Sequence, residues 1–70
     1  MTDIKQVMLS EDKLRRAEIF QKDNVWYVNM IIGGQLIESR PMISGTTVHS
    51  LSYAEDAAEN WCIGVIQPDD

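Results

Sequence analysis

The residue pattern predicts an α+β domain, a three-stranded antiparallel sheet with one C-terminal helix packed on one of its faces. Three observations carry this expectation. Val25-Trp26-Tyr27-Val28-Asn29-Met30-Ile31-Ile32 is dense in β-branched and aromatic residues, the composition of a central strand. Gly33-Gly34 then divides two apolar runs, and both glycines accept the positive φ that a two-residue hairpin loop requires. Ser52-Tyr53-Ala54-Glu55 has the spacing of a capping box, after which Ala54, Ala57, Ala58, Trp61 and Val65 fall on one face of a helix.

The remaining elements follow in chain order. Behind a Thr2 or Asp3 cap, Ile4, Val7 and Met8 stand at i, i+3 and i+4, so residues 1–12 are expected to hold one or two helical turns or to form a flexible arm. Leu14 to Gln21 fits either period and is read as a strand, with Ala17 and Ile19 alternating with Arg16, Glu18 and Phe20. Lys22-Asp23-Asn24 is a turn, and Gln35 to Met42 is the third strand. Pro41 lacks a ladder donor, which puts that strand at the sheet edge. Ile43 to Ser50 reads as a loop or a brief extended segment. Gly64 is the expected helix stop, and Gln67-Pro68-Asp69-Asp70 a flexible tail.

Seventy residues suffice for a single domain, 1–70, and for one small core. Such a domain often gains stability by pairing with a copy of itself or with a target, so a homo-oligomer is within expectation. One cysteine and one histidine, Cys62 and His49, exclude an internal disulfide and do not make up a metal-ligand set, so neither metal nor cofactor is expected. No apolar run approaches the length of a membrane span, and the first nine residues lack signal-peptide character, which predicts a cytoplasmic protein. Of the net charge of −5, residues 24–70 contribute all: they hold one basic and six acidic side chains, against five of each in 1–23. Direct binding to nucleic acid is therefore disfavoured by repulsion from phosphates.

A two-residue loop at Gly33-Gly34 fixes an expected register. One face pairs Ile32 with Gln35, Met30 with Ile37, Val28 with Ser39 and Trp26 with Pro41, and together with Ala17 and Ile19 it should receive the helix. The other face pairs Ile31 with Leu36, Asn29 with Glu38 and Tyr27 with Arg40, with Phe20 and Glu18 alongside. With no helix to cover it, that second face presents Phe20, Tyr27, Asn29, Glu38 and Arg40 as a candidate binding surface, since aromatic and arginine side chains are frequent interface anchors. The competing reading makes Tyr27 on Arg40 an ordinary cross-strand pair, or packs Phe20 under Ile4 and Val7.

No catalytic residue is assigned. A Cys62–His49 nucleophile pair is possible in principle, but a lone cysteine next to Trp61 is better read as a small buried hydrophobe. Glu55, Asp56 and Glu59 read first as dipole partners on a solvated helix face, and second as a binding surface of their own. Helix, three strands, helix is also the order of the double-stranded RNA-binding fold, but where that family grips phosphates with lysines this chain has Tyr53, Glu55 and Asp56. A likeness to antitoxin domains rests on topology alone, which does not carry function.

The run Tyr53-Ala54-Glu55-Asp56-Ala57-Ala58-Glu59-Asn60-Trp61 with Gly64, preceded by the Trp26-Tyr27-Val28 strand and its hairpin, resembles small accessory proteins of tailed phages infecting cyanobacteria. The resemblance spans roughly residues 14 to 66 and transfers no individual site residue. It implies a small protein that engages a host protein, such as a metabolic enzyme or a component of gene expression, and changes its activity. A second expectation is acidic mimicry of nucleic acid through Glu55, Asp56 and Glu59, blocking a basic groove. A third is a self-associating structural subunit.

Overall fold

A computed structural model of the chain describes residues 4–66. The expected cap at Thr2 or Asp3 and the expected tail at 67–70 lie outside the described residues. The chain runs as β1 (Ile4–Leu9), β2 (Arg15–Lys22), β3 (Val25–Ile32), β4 (Gln35–Pro41), a short hairpin of β5 (Ile43–Ser44) and β6 (Thr47–Val48), and α1 (Leu51–Cys62). The first four strands form one antiparallel meander in chain order, and α1 packs across it. The α+β class with one C-terminal helix on the sheet is as expected; the sheet has four strands where three were expected.

The added strand is the segment expected to be helical or a flexible arm. Ile4, Val7 and Met8 have helical spacing, but so short a segment has little helical stability of its own, and in the strand it is exposure that alternates, Gln6 and Met8 toward the helix, Val7 and Leu9 away. Pairing with β2 decides it: Val7 lies opposite Glu18, Met8 opposite Ala17 and Leu9 opposite Arg16. A bulge at Lys5 lets Ile4 rejoin the ladder opposite Phe20.

β2 and β3 follow the expected register throughout, from Arg15 opposite Ile32 to Lys22 opposite Val25. Their hairpin loop, Asp23-Asn24, has φ of 53° and 65°, which places both residues in the left-handed region that Asp and Asn accept more readily than most. Gly33 and Gly34, with φ of 58° and 80°, make the same kind of loop between β3 and β4.

β4 departs from expectation three residues beyond that loop. Ile32 pairs with Gln35 and Ile31 with Leu36, but Met30 pairs with Glu38, so Ile37 is bulged out and every later residue changes face. Met42 consequently turns inward, its backbone N–H donating to the Trp26 carbonyl at 2.8 Å, and its side chain is 2% exposed. Ile37, expected in the core, is exposed instead. The exchange of one buried side chain for another is close to even in apolar area, and it carries the chain into the β5–β6 hairpin that fills most of the segment expected to be a loop or briefly extended.

The core lies between the sheet and α1, built from Ala17, Ile19, Val28, Met30, Met42, Ala54, Ala58, Trp61 and Cys62, with Trp26 partly buried against it. Small Ala54 and Ala58 let the helix approach closely, and Trp61 fills the space at its end. The Trp61 indole is fully buried and its Nε1–H donates to the carbonyls of Arg16 (3.0 Å) and Ile31 (3.2 Å), one on each central strand. Arg15 lies 4.5 Å over the indole and donates through Nη1 to the carbonyls of Trp61 (3.1 Å) and Ile66 (2.8 Å). It thereby supplies from a strand the positive charge that the last turn of α1 lacks.

Both helix ends differ in detail from expectation. α1 begins two residues early, with Ser50 in place of Ser52 as N-cap and no side-chain cap bond, so the Ser52–Glu55 capping box does not form. Tertiary pairing prevails, because the Glu55 carboxylate accepts a hydrogen bond from Gln6 Nε2 on β1 at 2.7 Å. At the other end Gly64 is the expected stop: with φ of 90° it donates to Trp61 O while Val65 N–H reaches Asn60 O at 2.8 Å, a Schellman closure. That turn points Val65, expected on the apolar stripe, into solvent, while Ile66 packs on the core.

Replacing Trp61 by Ala is expected to cost about 3–5 kcal/mol, comparable to the whole stability of a domain this small. Trp61→Phe, which keeps most of the volume and loses the N–H donor, should cost roughly 1–3 kcal/mol. Urea unfolding followed by circular dichroism distinguishes the two; a Trp61→Phe variant as stable as the native chain would show that the indole N–H contributes nothing.

Candidate functional site

The alternation of β1 to β4 leaves one face of the sheet without a helix. On it, in rows running across the strands, stand Leu9, Arg16, Ile31 and Leu36; then Val7, Glu18, Asn29 and Ser39; then Ile4, Phe20, Tyr27 and Pro41. The apolar members are conspicuous for their exposure: Ile4, Val7, Leu9 and Leu36 are each 42–56% accessible. Phe20 and Tyr27 form a parallel stack with centroids 5.0 Å apart and planes 4° apart, Phe20 largely covered and Tyr27 half-buried. Among the polar members, Arg16 pairs with Glu18 at 2.8 Å, and Asn29 Nδ2 lies 3.4 Å from the same carboxylate.

Of the residues expected on this face, Phe20, Tyr27 and Asn29 are there. Glu38 and Arg40 are not. The bulge at Ile37 places them opposite Met30 and Val28, on the helix side of the edge strand, so the expected pairs of Tyr27 with Arg40 and Asn29 with Glu38 do not form. Arg40 instead binds Glu38 through both Nε (3.0 Å) and Nη2 (3.1 Å). Ser39 and Pro41 take their places on the open face. The face also holds Ile4, Val7 and Leu9 of β1, which the helical spacing of that segment hides in the sequence, and Ile31 with Leu36, whose expected pairing carries no signal of exposure.

The acidic helix residues do not act as one set. Glu55 is half-buried and held by Gln6, whereas Asp56 and Glu59 are exposed. Asp56 borders an open groove of about 410 Å³ between β4 and α1, together with Arg40, Tyr53 and Asn60. A second open groove, about 810 Å³, lies beside the helix end, where Leu9, Leu14 and Ile63 line it with Arg15 and Cys62.

Cys62 and His49 are far apart. The His49 ring stacks on Tyr53 with centroids 3.8 Å apart and lies 2.9 Å from Ser44 Oγ, near the helix start. Cys62 is at the helix end, roughly 14 Å along the axis from Tyr53. Burial pushes the Cys62 thiol above its ordinary range, which keeps it protonated and poorly nucleophilic at neutral pH. Among the described residues no group of three or more His, Cys, Asp or Glu side chains could hold a metal ion, and no helix is long and apolar enough to cross a membrane.

The hydrogen bonds from Arg40 hold the Glu38 carboxyl below its ordinary value of 4.5. A carboxylate whose folded value is depressed adds stability that is complete above the unfolded value and is lost as pH falls through the folded one. The Glu38→Gln variant is therefore expected to show a shallower loss of stability below about pH 4.5 with no change in slope near neutrality; identical acid limbs in urea titrations would remove the pair from the acid response.

No protein-family model, no curated protein and no solved structure matches this chain.

Proposed function

We propose that this chain is a non-catalytic protein-binding module whose contact surface is the open face of its four-stranded sheet. The observation that carries the reading is the apolar group Ile4, Val7, Leu9, Ile31 and Leu36 beside the Phe20–Tyr27 stack, set on a four-stranded ladder with no element of the described residues over it. The two apolar rows join along β1 through Ile4, Val7 and Leu9, exposed apolar groups of this extent mark contact sites, and aromatic anchors carry much of the binding energy at interfaces. The resemblance to phage accessory proteins suggests a larger host protein, such as a metabolic enzyme, as the class of target. A cytoplasmic setting belongs to the same proposal, in keeping with the free thiol of Cys62.

Nucleic-acid mimicry by the helix is the weaker reading, because Gln6 engages one of its three acids. Asp56 and Glu59 alone make a short phosphate track.

A photo-activated cross-linker placed at Leu36, on the open face, or at Asp56, on the helix, separates these surfaces in a lysate of the source cells. Adducts are expected from position 36 and not from 56. Adducts confined to position 56 would overturn the proposal. Tyr27→Ala, which leaves the core between sheet and helix untouched, should reduce the yield from position 36 about tenfold.

A further inference from the structure

We propose that the open face is covered by the same face of a second copy, related by a two-fold axis that runs parallel to the strands between β2 and β3. This rests on the reading of that face as the contact surface and names its occupant.

Charge is the first argument. The chain carries a net charge of −5, and two copies approaching by an arbitrary surface repel each other. The open face is the exception. Its charged members are Arg16 and Glu18, already paired at 2.8 Å, and Lys22 at the end of β2, while Glu55, Asp56 and Glu59 sit on the helix behind the sheet. Face-to-face pairing therefore sends the acidic helices to the two outer surfaces, as far apart as the assembly allows.

Complementarity under the operation is the second. A two-fold axis along the strands lays β1 over the partner's β4 and β2 over the partner's β3, with rows across the sheet kept in place. Leu9 then meets the Leu36 position of the other copy, Phe20 meets the Tyr27 position, Ile4 meets Pro41, and Glu18 meets Asn29, an amide donor. Arg16 lies over Ile31. No charge faces its like, and the stacked aromatic pair of one copy faces that of the other. The outer rows thus match apolar with apolar at Leu9 on Leu36, Ile4 on Pro41 and Phe20 on Tyr27, while the middle row places Val7 over Ser39 beside the Glu18–Asn29 contact.

Area is the third. Four strands about 4.8 Å apart, each some seven residues long at about 3.3 Å per residue, present a footprint of roughly 450 Å². With side-chain relief that is about 600 Å² of accessible surface per copy, and the pair reaches the lower end of specific interfaces, roughly 1,200 Å². Contacts at that end of the size range are commonly weak and reversible, and a Kd in the micromolar range is expected for this one.

The test is sedimentation equilibrium on the purified chain at about 100 µM, above the expected micromolar Kd. Twice the 8.0 kDa chain mass is expected. L9K and L36E should each weaken association about a hundredfold by placing a lone charge on an apolar position, while circular dichroism shows the helix and sheet intact. Mixing L9K with L36E should restore a dimer, since the axis brings those two positions together in the mixed pair and leaves the native leucines facing on the other side. A wild-type chain at 8.0 kDa, or a dimer that L36E does not weaken, overturns the proposal. Failure of the mixture to recover overturns this axis. If the chain is monomeric and the cross-linker at position 36 still captures a different protein, the open face stands as a contact surface and the second copy is wrong; if it captures nothing, both readings fall.

Discussion

The indole of Trp61 joins the two layers of this protein, and most of the rest depends on its position. It is fully buried, it donates one N–H to carbonyls on both central strands, and it carries the Arg15 guanidinium on its face. A buried donor without a partner costs about 1–3 kcal/mol, so the indole fixes the helix against one place in the sheet and not simply against an apolar surface. Arg15 extends the constraint: the same side chain that covers the ring also binds the carbonyls at the end of α1, so helix termination and layer packing are set by one cluster. Gly64 permits the chain to turn back there.

One helix placed this way can close only one side of the sheet. α1 spans Leu51–Cys62, about 18 Å, and its contacts fall on β2, β3 and the start of the chain. The side chains of β1 to β4 nevertheless alternate apolar groups onto the face it leaves alone. An antiparallel sheet with water on one side ordinarily alternates polar residues onto that side. Here Val7, Leu9, Ile31 and Leu36 stand where such residues would be, and that departure from a solvated pattern is the physical ground for reading the face as a place of contact.

Much of this was legible in the residues, for reasons that can be named. β3 could be read because six β-branched or aromatic residues fill an eight-residue run between two turn signals; β2 followed because Ala17 and Ile19 match Met30 and Val28 across a two-residue loop. The helix and its Ala54, Ala58 and Trp61 stripe showed in the spacing, and Gly64 in its conformational need. β1 was illegible because Ile4, Val7 and Met8 have helical spacing and Val7-Met8-Leu9 shows no strand alternation, so only pairing with β2 decides the segment. The bulge at Ile37 was illegible for a different reason. Loop geometry fixes register next to the loop, but three residues on, the competition between Ile37 and Met42 for the core decides it, and that depends on where α1 and the β5–β6 hairpin lie. The same event moved Glu38 and Arg40 off the candidate surface. The capping box failed likewise, since Gln6 on a strand that had not been recognised was the better partner for Glu55.

The closed and open sides are linked through stability. A 70-residue chain whose buried core is nine side chains among the described residues has little free energy in reserve, and Trp61 and Arg15 tie the two layers by hydrogen bonds as well as by packing. Anything that covers the open face binds the folded sheet and not the unfolded chain, so it adds to stability by mass action. β1 is the element that senses this most directly. It is an edge strand, it contributes Ile4, Val7 and Leu9 to the open face, and on the helix side it gives Met8 to the core and ties to α1 through the Gln6–Glu55 bond. A partner on the open face therefore holds in place the strand whose own sequence specifies it least, which ties completion of the sheet to occupation of its outer surface.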